Sequence, residues 1–152
     1  MILIADSGST KCSWALVDQQ GNLIKEISTI GFNPYFIDKK NILKELEQSN
    51  LTNYSKEILE VFFYGAGCSS KDKNKIISDS LQSFFINSKI VVKHDIDAAC
   101  YAMYKGNPNI TCILGTGSNS CFYDGKEIIE NAPSLGFLLG DEASGNYFGK
   151  KL

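Results

Sequence analysis

Ile2-Leu3-Ile4-Ala5-Asp6-Ser7-Gly8-Ser9-Thr10-Lys11-Cys12-Ser13-Trp14-Ala15-Leu16-Val17 decides the fold: two strand-forming runs joined by a short turn of glycine, hydroxyls and one lysine. Ile2–Ala5 reads as a short buried strand, and Cys12–Val17 as a second one rich in strand formers. Leu23–Thr29 is a third, reached through the turn Gln20-Gly21-Asn22. Two hairpin-like connections in succession predict an antiparallel meander. In the first turn Gly8 offers backbone dihedrals closed to other residues, and Ser9, Thr10 and Lys11 add hydroxyl, amide and ammonium donors. Backbone N–H groups presented this way form a concavity suited to phosphate oxygens. Asp6, at the end of a buried strand, is placed to hold a magnesium-bound water. Taken alone, Asp-x-Gly is more often a plain hairpin turn.

The segments that follow alternate. After Gly31-Phe32-Asn33-Pro34, Asp38 is the expected N-cap of a helix with Ile42, Leu43 and Leu46 on one face. Ile58–Tyr64 is a fourth strand. Ser69 with Asp72 resembles a capping box, opening a helix that carries Ile76, Ile77, Leu81 and Phe84/Phe85. A fifth strand, Lys89–Lys93, runs into Asp95 at the head of the helix Ile96–Tyr104. The sheet is expected to be five-stranded and mixed, with helices on both faces. Gly106-Asn107-Pro108 breaks the chain, and the three-strand grammar then restarts with Ile110–Leu114, Asn119–Tyr123 and Glu127–Glu130. Residues up to 106 therefore read as one βββαβαβα unit, and residues 107–152 as the start of a second, incomplete copy.

Composition narrows the function. The 152 residues are 43% hydrophobic and 21% charged, ordinary for a globular protein with a real core. Net charge is -2, and no dense basic window exists, which disfavours nucleic acid as a partner. No apolar run is long enough to span a bilayer, and Met1–Ala5 is too short for a signal peptide, so a cytoplasmic protein without membrane partners is expected. The five cysteines include no Cys-x-x-Cys pair, which argues for free thiols rather than zinc or an iron–sulfur cluster within one chain.

Three further constellations carry chemistry. Gly115-Thr116-Gly117-Ser118 occupies, in the second copy, the strand–turn–strand position that Gly8–Lys11 holds in the first. Two such turns facing one cleft would clamp a phosphate chain. Neither is a P-loop, and the third glycine of the dinucleotide fingerprint is missing. Asp95 sits where a strand gives way to a helix, at the mouth of the sheet, where a carboxylate can take the proton of an attacking hydroxyl. It reads equally well as a helix cap. Asp97, one step into the helix, is the rival acid and better explained by the helix dipole. Finally, Gly140-Asp141-Glu142-Ala143-Ser144-Gly145 sets two acids between glycines at a helix start, where they can bind sugar hydroxyls or help hold a metal. Asn33 could bind a sugar hydroxyl, though alone it reads as a turn residue.

Together, Asp6-x-Gly8-Ser9-Thr10-Lys11, Gly115-Thr116-Gly117-Ser118 and Gly140–Gly145 resemble the N-acetylglucosamine kinase group, which lies with the benzoyl-CoA-reductase-type ATPases in the actin-like ATPase superfamily. The resemblance runs the length of the chain. It implies an α/β, ribonuclease-H-like actin-type ATPase lobe followed by the beginning of a similar one. It implies ATP and Mg²⁺ as cofactors and a small amino sugar, glucosamine or N-acetylglucosamine, as the phosphoryl acceptor, and is compatible with a homodimer. By position it makes Asp95 the catalytic base, Asp6 the metal residue, the two glycine turns the phosphate site, and Asn33, Asp95, Asp141 and Glu142 the sugar contacts. Cys12-Ser13 after Lys11, Leu135 before Gly136 and Ala143 within the acidic motif depart from the family pattern, and the adenosine motif of the second lobe is not in the sequence. Rival readings are an activator ATPase of a dehydratase or reductase, using Cys68 or Cys100 at a shared cluster, a non-enzymatic nucleotide-binding module, and a nuclease with Asp6 and Asp95 as metal ligands.

Overall fold

A computed structural model describes residues 1–129 and 136–152. They divide into two compact units, Met1–Asp95 and Ile96–Leu152. The division falls one helix earlier than the Gly-Asn-Pro break.

In the first unit, β1 (Ile2–Ser7), β2 (Lys11–Val17), β3 (Leu23–Ile30), β4 (Glu60–Gly65) and β5 (Lys89–His94) form one sheet in the order β3-β2-β1-β4-β5. The meander pairs are antiparallel, while β1–β4 and β4–β5 are parallel. The mixed five-stranded sheet is thus as expected. Strand parity places Leu3, Ala5 and Ser7 on the same face as Cys12, Trp14 and Leu16 of β2 and Val61, Phe63 and Gly65 of β4, all buried.

Helices α1 (Lys39–Gln48) and α2 (Lys71–Phe84) both cover that face, delivering Ile42 and Leu46, and Ile77 and Leu81, to one core. Within this unit both helices share one face; the expectation of helices on both faces also counted the helix after Asp95, which falls in the second unit. The buried face has the continuous apolar parity, whereas the opposite face carries Asp6, Lys11, Glu60 and Lys93 among its apolar residues. Trp14 is the centre of the core, 5.8 Å from Phe32 and 5.9 Å from Phe63 between ring centroids, with its indole N–H donating to Thr29 Oγ1 at 2.9 Å. Deleting such a side chain typically costs about 3–5 kcal/mol.

Asp38 caps α1 as expected, its side chain accepting from Asn41 N. The cap of α2 is Ser70, one residue beyond the expected Ser69: its hydroxyl accepts from Lys73 N. Both serines precede the helix, and only the backbone decides between them.

The second unit holds α3 (Asp95–Met103) from Ile96 onward, a three-stranded antiparallel sheet β6 (Asn109–Leu114), β7 (Ser118–Tyr123) and β8 (Ile128–Ile129), and the short helices α4 (Gly136–Leu139) and α5 (Gly145–Lys151). The restarted meander thus forms its own sheet. Cys100 of α3 and Cys121 of β7 are buried with their sulfurs 3.2 Å apart. Gly125, at φ +97°, closes the β7–β8 turn against Tyr104, leaving no space for a Cβ. Glu130, assigned to the last strand from the sequence, and Leu135, noted as a departure from the family, lie outside the described residues. No helix of the described residues is long and apolar enough to cross a membrane.

Candidate active site

The carboxyl ends of β1, β4 and β5 align, pairing Ser7 with Gly65 and Gly65 with His94. Open α/β sheets bind ligands at this edge. Asp6 lies one residue back on β1, on the face away from the core, and is exposed. Asp95 follows β5 directly as the first residue of α3. With β4 between them, β1 and β5 are separated by about 10 Å, two strand spacings. Desolvation at the strand end, and then the Asp95 charge, raise the Asp6 pKa above its ordinary value. Asp95 Oδ1 lies 2.7 Å from His94 Nδ1, which fixes the direction of the carboxylate. Asp97 Oδ1 instead accepts a 3.3 Å bond from Tyr101 on the exposed side of α3.

The first glycine turn is closed by Gly8 N donating to Lys11 O at 3.0 Å. Ser9, Thr10 and Lys11 are exposed, and the N–H groups of Ser9 and Thr10 make no backbone bond among the described residues. Gly8 does not need glycine for its own conformation, contrary to expectation: its φ lies outside the left-handed region, and a Cβ would meet only Lys11 O at 3.7 Å. The steric demand falls on Gly31 instead. A Cβ there would sit 2.2 Å from Gly8 O and 2.6 Å from Ser9 C, while Gly31 N donates to Thr10 O. Ser7 Oγ accepts from Phe32 N at 2.9 Å. Asn33 is 7% exposed, its Nδ2 donating to Ser9 Oγ at 2.9 Å and its Oδ1 accepting from Tyr35 N at 3.0 Å.

In the second unit the glycine turn and the acidic motif, read separately from the sequence, form one structure. Gly145 N donates to Gly115 O at 2.9 Å, Asn146 N to Thr116 O at 3.1 Å, and Ser118 N to Asp141 Oδ1 at 3.3 Å. Asp141 is buried, and Gly117 has no Cβ to press on its carboxylate, which would lie 3.1 Å away. Gly115 has open space where a Cβ would point, and the N–H groups of Thr116 and Gly117 make no backbone bond among the described residues. Ser144 caps α5 through Tyr147 N, and Glu142 is exposed. Asp141 and Ala143 are both left-handed, at φ +64° and +60°.

These donor sets suit the groups the resemblance implies. Asp6 and Asp95 stand at the same carboxyl edge of the sheet, where a hydrated divalent cation would offset the negative charge that helps raise the Asp6 pKa. Each turn presents backbone N–H groups and hydroxyls to an anion. The thiols do not suit a shared cluster. Cys68 is 2% exposed, and burial followed by the Asp95 charge pushes its thiol up to about 12; a buried sulfur is poorly placed to reach a cluster shared with a second subunit. Cys100 is buried beside Cys121. Among the described residues no group of three or more His, Cys, Asp or Glu side chains could hold a metal.

His94, Ser7 and Gly31 contact the candidate residues or the segments that carry them, and were not singled out from the sequence. His94 adjoins Asp95, which was a usable signal. Ser7 and Gly31 act through contacts more than twenty residues away along the chain, which no local pattern encodes.

No family model and no curated protein matches the chain. Solved structures do. The "Putative N-acetylglucosamine Kinase" of Porphyromonas gingivalis is 39% identical over 99% of this chain and 54% of its own, with a TM-score of 0.91. This chain therefore spans about half the length of that protein. An inorganic polyphosphate/ATP-glucomannokinase from Arthrobacter sp. strain KM is 18% identical over 99% of this chain and 72% of its own (TM-score 0.63). A ROK family glucokinase from Streptomyces griseus, solved with glucose and AMPPNP, is 16% identical over 83% and 46% (TM-score 0.58). These last two share the fold. Over nearly its whole length the chain is thus similar to about half of the Porphyromonas gingivalis protein, and it shares its fold with the two other sugar kinases.

Proposed function

We propose that the protein transfers the γ-phosphoryl group of ATP to a hydroxyl of an amino sugar, glucosamine or N-acetylglucosamine, and that this chain carries the phosphate and acceptor residues. Residues 1–106 are then the first lobe and 107–152 the opening of the second. Asp95 accepts the proton of the acceptor hydroxyl, with His94 at 2.7 Å holding the carboxylate in direction. Asp6 holds water on the magnesium ion that accompanies ATP and neutralises its phosphates. Gly8–Lys11 and Gly115–Ser118 donate N–H and hydroxyl hydrogens to the phosphates, and Asn33, Asp141 and Glu142 serve the sugar side. Such a protein belongs in the cytoplasm, where ATP and free amino sugars meet.

The single observation that carries the reading is the placement of two acids, Asp6 and Asp95, beside a glycine turn at the carboxyl edge of the parallel strands. The amino sugar is supported by the name of the 39% identical Porphyromonas gingivalis protein. The test is ATP-dependent phosphorylation of glucosamine and N-acetylglucosamine by the whole protein. Asp95→Asn should keep ATP binding and lose about 10²–10⁴ in turnover, the usual general-base contribution. Asp97→Asn should cost no more than about 0.5 kcal/mol in stability and leave turnover intact. The reverse order would remove Asp95 from the mechanism.

A further inference from the structure

Asn33 touches the phosphate turn directly. Its side chain is buried, and three observations fix how it is held. Tyr35 N donates to Oδ1 at 3.0 Å, so the oxygen must face the backbone N–H and the nitrogen must face Ser9. The amide orientation therefore follows from the backbone. From the other side Gly67, at φ +80°, approaches so closely that a Cβ would lie 2.5 Å from Oδ1. The turn that receives the bond is itself pinned, because Gly31 packs on the Gly8 carbonyl and donates to Thr10 O.

The direction of this bond has a chemical consequence. Nδ2–H fills a lone pair of Ser9 Oγ, so the hydroxyl hydrogen of Ser9 cannot point back at Asn33 and is turned outward. A serine in the mouth of a glycine turn, with its proton directed away from the protein, is a donor preset for an anionic oxygen.

We propose that Asn33 is a positioning residue of the nucleotide site: it orients the Ser9 hydroxyl as a donor to a phosphate oxygen of ATP, independently of any contact it makes with the sugar. This rests on the reading that Gly8–Lys11 receives the phosphates of ATP.

Asn33→Asp separates the possible roles. Aspartate has nearly the same shape and still accepts from Tyr35 N, so a structural role is preserved. It cannot donate to Ser9. The Ser9 hydroxyl must then give its own proton to the carboxylate and is lost to the phosphate. Binding of Mg-ATP is measured by calorimetry on the whole protein without any sugar, with thermal unfolding as a control for folding.

Asn33→Asp should weaken ATP by about tenfold or more, the worth of a hydrogen bond to a charged group, with a near-normal melting temperature. Asn33→Ala, which frees the hydroxyl to rotate, should weaken it less. Ser9→Ala should match Asn33→Asp to within about a factor of three, and adding Asn33→Ala to Ser9→Ala should cost nothing further in ATP affinity. ATP affinity within about twofold of wild type in folded Asn33→Asp overturns the proposal, as does full additivity of the Ser9 and Asn33 effects. A wild-type protein that binds ATP yet phosphorylates neither amino sugar would instead overturn the kinase reading and leave this test in force.

Discussion

Replacing Gly8 and Gly31 separately by alanine tests whether the space over the first glycine turn belongs to the fold or to a ligand. At Gly8 a methyl group meets only Lys11 O at 3.7 Å, an ordinary contact, and the backbone is not left-handed. Such a substitution stabilises by about 0.4–1 kcal/mol, because alanine has fewer unfolded conformations to lose. In a protein of this size or larger, that raises the melting temperature by about 1–4 °C. At Gly31 the methyl lands 2.2 Å from Gly8 O and 2.8 Å from Ser9 O, both backbone atoms that no rotamer change can move. The turn must shift, at a cost of about 1–3 kcal/mol or more from overpacking. The two stabilities should therefore move in opposite directions. Mg-ATP affinity should fall in both variants, in Gly31→Ala because the donors are displaced and in Gly8→Ala because a methyl occupies the ligand's approach. Differential scanning calorimetry supplies the stabilities and titration calorimetry the affinities. A destabilised Gly8→Ala would mean that the turn needs glycine for its own geometry. An unperturbed ATP affinity in a stable Gly8→Ala would mean that no phosphate approaches that face, and the phosphate assignment of the turn would fall.

Ala143, at φ +60°, sits where an L-residue is strained by about 1–2 kcal/mol, and glycine's greater unfolded entropy returns about 0.5–1 kcal/mol of that. Ala143→Gly should thus stabilise by up to about 1 kcal/mol in urea unfolding, and a clear loss would show that the left-handed turn is wrong. The raised pKa of Asp6 predicts a pH dependence. The folded state holds the proton more tightly than the unfolded one. That contribution to stability is fully present below the ordinary aspartate pKa and is lost as pH rises through the higher folded pKa. Asp95→Asn removes one of the two causes, so NMR titration of the Asp6 carboxyl should move toward the ordinary value. An unmoved midpoint would mean that the two acids do not interact.

The fold was largely legible because its signals are local or periodic. The meander announces itself through strand-forming runs separated by turns, and Asp38 caps its helix at the position its side chain suits. The restarted three-strand grammar after Gly106-Asn107-Pro108 does form a separate sheet. What escaped is decided by parity and by competition between equivalent neighbours. Ser69 and Ser70 have identical chemistry, and the helix register chose the second. Both helices of the first unit lie on one face because only the Leu3–Ala5–Ser7 parity is uninterrupted by charge across β1, β2 and β4. That comparison needs strand registers, which exist only after the strands have paired.

The candidate site was legible as residue types and much less so as contacts, and the difference has a physical cause. A glycine turn advertises itself, but the sequence does not say whether its glycine serves the backbone, a neighbour or a ligand. Here the left-handed demand expected at Gly8 is absent, and the tightest approach falls on Gly31, more than twenty residues away. The acidic motif shows the same displacement. Its asparagine- or glycine-like conformational demands fall on Asp141 and Ala143, and Asp141 spends one carboxylate oxygen on the Ser118 N–H of the other glycine turn. The alanine at position 143 departs from the family pattern within this motif. In the structure it is exposed and left-handed, so its effect is first on the stability of the turn that carries Asp141. Family departures at such positions change how firmly a site is held before they change what it binds, and melting curves of Ala143→Gly should move more than its sugar preference does.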